Sequence, residues 1–99
     1  FNRKYDLIIK FKYLNRPLLR KLPSILKSDG VLMIETFMIG NENLGRPKNL
    51  EFLLQKNELK SLYKKNLKLM YFKQGKRHKS KKESIMQTAV FKKIKIDTL

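Results

Sequence analysis

Cysteine is absent from this chain of 99 residues, which excludes disulfides and thiolate metal sites but leaves the compartment open. Acidic residues are scarce: 8 Asp and Glu stand against 24 Lys and Arg, for a net charge of +16. No apolar run approaches the ~20 residues needed to cross a bilayer, and no secretory signal is visible. The expectation is a soluble, cytoplasmic protein without a membrane partner. The lone histidine, His78, lies among Lys76, Arg77, Lys79, Lys81 and Lys82 and reads as a solvated loop residue. No cluster of His, Cys, Asp or Glu has metal-ligand spacing, and no Ser-His-Asp arrangement is visible, so no metal is expected. The first residue is Phe1 and not Met, which fits a fragment or a processed product.

At 41% hydrophobic residues the chain can form a core, and its length allows one domain. The charge admits two readings. One is a polyanion partner such as nucleic acid. The other is coding bias, because lysine far exceeds arginine and Asn and Ile are plentiful, as A/T-rich codons dictate. Evolved phosphate readers favour the bidentate fork of arginine, and the run around His78 lacks interleaved aromatics for base stacking. Coding bias is the preferred reading, with a small basic nucleic-acid-binding module as the alternative.

Apolar periodicity divides the chain into six elements. Tyr5–Phe11 is a short apolar run that reads as a strand buried on both faces. Asn15-Arg16-Pro17 opens a helix, since proline costs nothing in a first turn. Leu18, Leu19, Leu22, Ile25 and Leu26 continue it, with a kink or late start forced by Pro23, and Ser28-Asp29-Gly30 ends it. Val31–Phe37 is a second strand, followed by the long loop Met38–Gln55, in which Asn49–Leu54 can form a turn of helix. Asn57 caps a second helix reaching about Lys65, with Leu59, Leu62 and Tyr63 inward. Leu67–Lys73 and Met86–Ile96 are two further strands, paired antiparallel across a basic, solvated segment, Gln74–Ser84. The order β-α-β-α-β-β is that of an α/β protein with a layered, mostly parallel sheet ending in an antiparallel pair. The first two strands should be adjacent and parallel.

The richest chemistry lies where the second strand enters its loop: Glu35-Thr36-Phe37, then Gly40-Asn41-Glu42-Asn43-Leu44-Gly45-Arg46-Pro47-Lys48-Asn49. Loops leaving the carboxyl ends of strands are where α/β proteins bind ligands. A carboxylate near the end of an apolar strand calls for a partner, and Arg46 is the obvious candidate for Glu35.

Together with Tyr5-Asp6-Leu7-Ile8-Ile9, Tyr13-Leu14-Asn15-Arg16-Pro17-Leu18, Phe52-Leu53-Leu54 and Glu58-Leu59, this stretch resembles the class I S-adenosylmethionine-dependent methyltransferases. The match is to the small bacterial branch labelled tellurite-resistance-like, and it covers nearly the whole chain. Asn15 stands where that branch has histidine, and Leu50 where it has a second loop proline. The resemblance implies a Rossmann-like methyltransferase fold that begins here at the fourth of seven strands, making residues 1–99 the carboxyl-terminal part of one domain. It implies transfer of a methyl group from S-adenosylmethionine to an unidentified acceptor. Catalytic roles then fall on Tyr13, Asn15 and Arg16, substrate binding on Glu35, Asn41, Glu42 and Arg46, and cofactor contact on Phe11 and Tyr13. Asn15 reads equally as a helix cap, and Asn41 and Glu42 as turn chemistry. The cofactor's glycine-rich turn and ribose-binding acid have no counterpart around Gly30, Gly40, Gly45 or Gly75. The expected partner is therefore a complementing amino-terminal half or a second copy of the chain. An inactive remnant is the remaining alternative.

Overall fold

In the computed structural model, which describes residues 3–79 and 82–94, the apolar runs form one mixed sheet. Its strands are β1 (Tyr5–Lys12), β2 (Leu26–Phe37), β3 (Lys68–Lys79) and β4 (Lys82–Lys92), in spatial order β1-β2-β4-β3. β1 and β2 are parallel, joined by a crossover through α1 (Arg16–Lys21). β4 is antiparallel to both its neighbours. Between β2 and β3 the chain forms a short helix, α2 (Glu58–Leu62). The parallel β1–β2 pair and the antiparallel β3–β4 pair match the expectation, but the sheet is not mostly parallel: β4 inserts between β2 and β3, so two of the three pairings are antiparallel.

Alternation along β2 decides where the core lies. Leu32, Ile34 and Thr36 are buried and sit opposite Phe91, Ala89 and Gln87 of β4, also buried. Leu19, Leu22, Leu54, Leu59 and Tyr63 pack onto this face from α1, α2 and their flanking turns. Tyr63 meets Phe91 edge to face at 5.0 Å, and its hydroxyl donates to the Leu19 carbonyl at 2.6 Å. Burial pushes that hydroxyl's pKa up. The buried Gln87 carboxamide accepts from Leu59 N at 2.8 Å and donates to the Gln55 carbonyl at 3.1 Å, tying α2 to the sheet.

The other face has no such cover among the described residues. Leu7, Ile9 and Phe11 are 55%, 50% and 51% exposed. β1 is therefore not buried on both faces, as its sequence suggested. Both helices lie on one side, so only Ile8 of β1 packs against the core.

Other expectations also change. α1 stops at Lys21 and Leu22–Ile25 continue as a 3-10 turn, which takes Pro23 without a kink because proline's missing N–H is spared in a first turn. Ser28-Asp29-Gly30 belong to β2 instead of ending the helix. There the pairing jumps from Tyr5 opposite Leu26 to Leu7 opposite Val31, so β2 bulges. Asn57 adopts a left-handed φ of 62° and does not cap α2 with its side chain. Its backbone N donates to Gln74 Oε1 at 2.9 Å and its Oδ1 accepts from Gln74 Nε2 at 2.8 Å. The helix ends at Leu62, short of Lys65. The described residues of Gln74–Ser84 are not a loop: residues 74–79 and 82–84 are paired strand, with Lys76 opposite Ile85 and His78 opposite Glu83. Backbone pairing there proceeds regardless of how well the side chains are solvated. Ser80 and Lys81 lie outside the described residues, as does Ile96, where the fourth strand was expected to end.

Candidate functional site

A groove of about 770 Å³ opens at the carboxyl ends of β1 and β2. The strand ends contribute Lys12, Tyr13, Leu14 and Phe37, and the loop after β2 contributes Arg46, Pro47, Lys48, Asn49 and Phe52.

At the end of β1 the backbone turns sharply. Lys12 has a φ of 67°, in the left-handed region that residues with a Cβ seldom occupy. Tyr13 N donates to the Phe11 carbonyl at 2.8 Å, and Thr36 Oγ1 donates to the Lys12 carbonyl at 2.8 Å. This turn throws Tyr13 outward, to 80% exposure. The chain then enters α1 through Asn15, whose Oδ1 accepts from Leu18 N at 3.1 Å. Asn15 is thus a helix cap.

The loop is hung from the core by Asn41. Its side chain is 2% exposed; Nδ2 donates to the Arg46 carbonyl at 3.1 Å and Oδ1 accepts from Ile85 N at 2.9 Å. The Glu42 carboxylate accepts from Gly40 N, and Gly40 has a φ of 104° that suits glycine. A peptide pairing, Ile39 N to the Leu54 carbonyl and Leu54 N to the Phe37 carbonyl, closes the loop at its base. The Arg46-Pro47 peptide is cis.

Arg16 fastens the far end. Its guanidinium donates to both Glu58 carboxylate oxygens, at 2.7 and 2.9 Å, and to the carbonyls of Glu51 and Leu53. The hydrogen bond to Glu58 holds the Arg16 pKa above its ordinary value. Burial alone would raise the Glu58 carboxyl; the bonds from Arg16 and the Gln55 amide outweigh it and hold it below the usual carboxylate range.

Two residues assigned from the sequence, Tyr13 and Arg46, line the groove. Asn15, Arg16, Asn41 and Glu42 build the segments around it. Phe11 is exposed on the open face of the sheet, outside the lining. Glu35 does not pair with Arg46. Its Oε2 accepts from Thr88 Oγ1 at 2.6 Å, and Thr88 in turn accepts from Arg77 at 3.0 Å. The register that sets Glu35 opposite Thr88 in β4 decides this, and no local pattern announces it. Lys12, Phe37, Lys48 and Phe52 were not singled out from the sequence. Their position at strand and loop ends was the available signal, but which ends converge depends on the fold.

No known family model and no curated protein matches this sequence. Solved structures do match. TehB from Haemophilus influenzae superposes with a TM-score of 0.70 at 20% identity, over 94% of this chain and 37% of that one. The N-methyltransferase NodS from Bradyrhizobium japonicum WM9 gives 0.69 at 12% identity, over 96% of this chain and 54% of that one. A SAM-dependent methyltransferase from Methanosarcina mazei gives 0.68 at 12% identity, over 95% and 63%. This chain has a methyltransferase fold. It spans 37% to 63% of the length of these structures, and at such identities the likeness is one of fold.

The cofactor that a methyltransferase fold implies is S-adenosylmethionine, and the residues described here do not fit the whole of it. No carboxylate lines the groove to hold a ribose. Gly30 lies inside β2 and Gly75 inside β3, while Gly40 and Gly45 belong to the loop after β2. None forms a glycine-rich turn from a strand into a helix, the device that lets a backbone approach such a cofactor.

Proposed function

We propose that this chain is the carboxyl-terminal part of a class I methyltransferase of the small bacterial tellurite-resistance-like branch. S-adenosylmethionine would then be held mainly by residues outside the chain. One observation carries the reading: the ordered motif from Gly40 to Asn49 supplies the rim of a groove at the carboxyl ends of parallel strands, within a methyltransferase fold. The role of these residues is to bind and orient the methyl acceptor, since catalysis by positioning needs the nucleophile held in line. Tyr13 and Arg46 meet the acceptor. Asn15 and Arg16 fix the segment that carries Tyr13, while Asn41 and Glu42 fix the one that carries Arg46. Glu35 braces β2 against β4.

Two measurements test this reading. The coding sequence upstream of Phe1 should encode a strand, a glycine-rich turn and a helix, followed by an acidic residue at the end of the next strand. Isothermal titration calorimetry of the chain by itself should detect no micromolar binding of S-adenosylmethionine. An unrelated upstream sequence, or micromolar affinity, would refute the assignment.

A further inference from the structure

Three cationic residues, Lys12, Arg46 and Lys48, surround the groove, and no carboxylate lines it. Tyr13, Phe37 and Phe52 line it as well, from the end of β1, the end of β2 and the loop after β2. Lys48 Nζ donates to the Glu42 carbonyl at 3.3 Å. Among the described residues, the side chains of Lys12 and Arg46 make neither a hydrogen bond nor an ion pair, whereas Arg16 and Arg77 are both bonded across the fold. Like charges brought together without a counter-ion repel one another, and a cleft of one sign concentrates the opposite sign.

The backbone that carries two of these cations is also set in advance. Lys12 is held in a left-handed conformation that residues with a Cβ seldom adopt, pinned by the bond from Thr36 to its carbonyl. The Arg46 carbonyl is held by Asn41, a side chain anchored in the core. The turn at Lys12 and a buried amide spent on the Arg46 carbonyl fix the backbone from which these two cations extend at the rim of the groove.

We propose that the groove binds an aromatic carboxylate, with the carboxylate taken by Arg46 and Lys12 and the ring lying among Tyr13, Phe37 and Phe52. A guanidinium fork matches a carboxylate in two parallel hydrogen bonds, and a flat apolar body suits a groove with aromatic walls. The ligand's role as methyl acceptor rests on the function proposed above; its binding does not.

The test is a titration of the 15N-labelled chain, followed by amide spectra at constant ionic strength, with benzoate, benzamide, acetate and benzylammonium. Benzoate should give saturable shifts at Lys12, Tyr13, Phe37, Arg46 and Lys48. Benzamide and acetate should each bind at least ~5-fold more weakly, since one lacks the charge and the other the ring. Benzylammonium should leave these amides unmoved. Arg46→Gln should weaken benzoate by ~5-fold and leave benzamide unchanged, Arg46→Lys should recover part of the loss, and Lys12→Gln should act in the same direction. Equal affinity for benzoate and either analogue overturns the proposal. So do shifts centred on Leu7, Ile9 and Met33 of the open face, or the absence of any saturable shift. None of these readouts uses S-adenosylmethionine. A failed titration removes the ligand class and leaves the methyltransferase reading to the upstream sequence. A successful one beside an unrelated upstream sequence keeps the site and removes the enzyme.

Discussion

Asn41 and the pair Arg16–Glu58 do at residue scale what a larger protein spreads over many contacts. Asn41 replaces two missing backbone partners, one on the Arg46 carbonyl and one on Ile85 N. Asn41→Ala should therefore cost about 1–3 kcal/mol, because both backbone groups lose a partner in a partly buried setting. Urea denaturation measures it, and a loss under ~0.5 kcal/mol would show that the loop is held by other means. Glu58 adds a pH dependence. Its carboxyl sits below the ordinary range in the folded chain. Its stabilising effect is thus complete above the unfolded value of about 4.3 and is lost as pH falls through the folded one. Glu58→Gln should lower stability by about 1–2 kcal/mol at pH 7, allowing for the partial exposure of the pair. Stability curves of the variant and the parent should converge as pH falls through the folded carboxyl's range. Curves that stay parallel throughout the acid range would mean the pair contributes through shape alone.

Among the elements, β2 and β1 are the informative ones. The bulge of β2 brings its backbone close to itself: a Cβ at Gly30 would lie 2.7 Å from the Lys27 carbonyl oxygen and 2.8 Å from Leu26 Cδ1. Gly30→Ala should cost about 1–3 kcal/mol by overpacking a turn that cannot move away from the core. Thermal unfolding checks this, and an unchanged midpoint would indicate a bulge able to relax. β1 pairs only with β2 and presents Leu7, Ile9 and Phe11 on its open face. An apolar edge strand of this kind invites pairing with another chain. Ile9→Lys places a charge on that edge and should raise solubility at some cost to folding.

The whole molecule is extended for its length. Its radius of gyration is 14.5 Å, where a globular chain of this size has about 13 Å. Among the described residues one sheet face is clothed and the other is not. Self-association is therefore the expected behaviour of the chain alone. The charge of +16 opposes it at low salt, and screening weakens that opposition as salt rises, the Debye length being about 10 Å at 0.1 M. Sedimentation velocity should find heavier species at physiological salt than at low salt, and fewer of them for Ile9→Lys. A folded monomer in both conditions, indifferent to that substitution, would describe a self-sufficient domain and count against its reading as part of a larger enzyme. None of the described helices is long and apolar enough to cross a membrane.

Local physics made the sequence legible up to a definite distance. Runs of alternating or continuous apolar residues named the strands, the segment between Asn15 and Leu26 demanded a crossover, and a short basic connection implied an antiparallel pair. Those are short-range constraints, and they were enough for the parallel pair and the antiparallel pair; that β4 and not β3 lies beside β2 was implied only by the resemblance. Asn15 was likewise recognisable as a residue that caps a helix, because a cap bonds within three residues of itself. Tertiary structure alone decided what depends on distant register: that Glu35 meets Thr88 across 53 residues, that Asn41 reaches Ile85 across 44, and that Arg16 closes on Glu58 across 42. It also decided which face of β1 stays open, since periodicity names a strand's apolar faces but cannot say how many layers the rest of the chain provides to cover them. Lys12, Arg46 and Phe52 share a groove for the same reason. They come from the end of β1 and from the loop after β2, segments that carry no common pattern, and only the folded sheet brings them together.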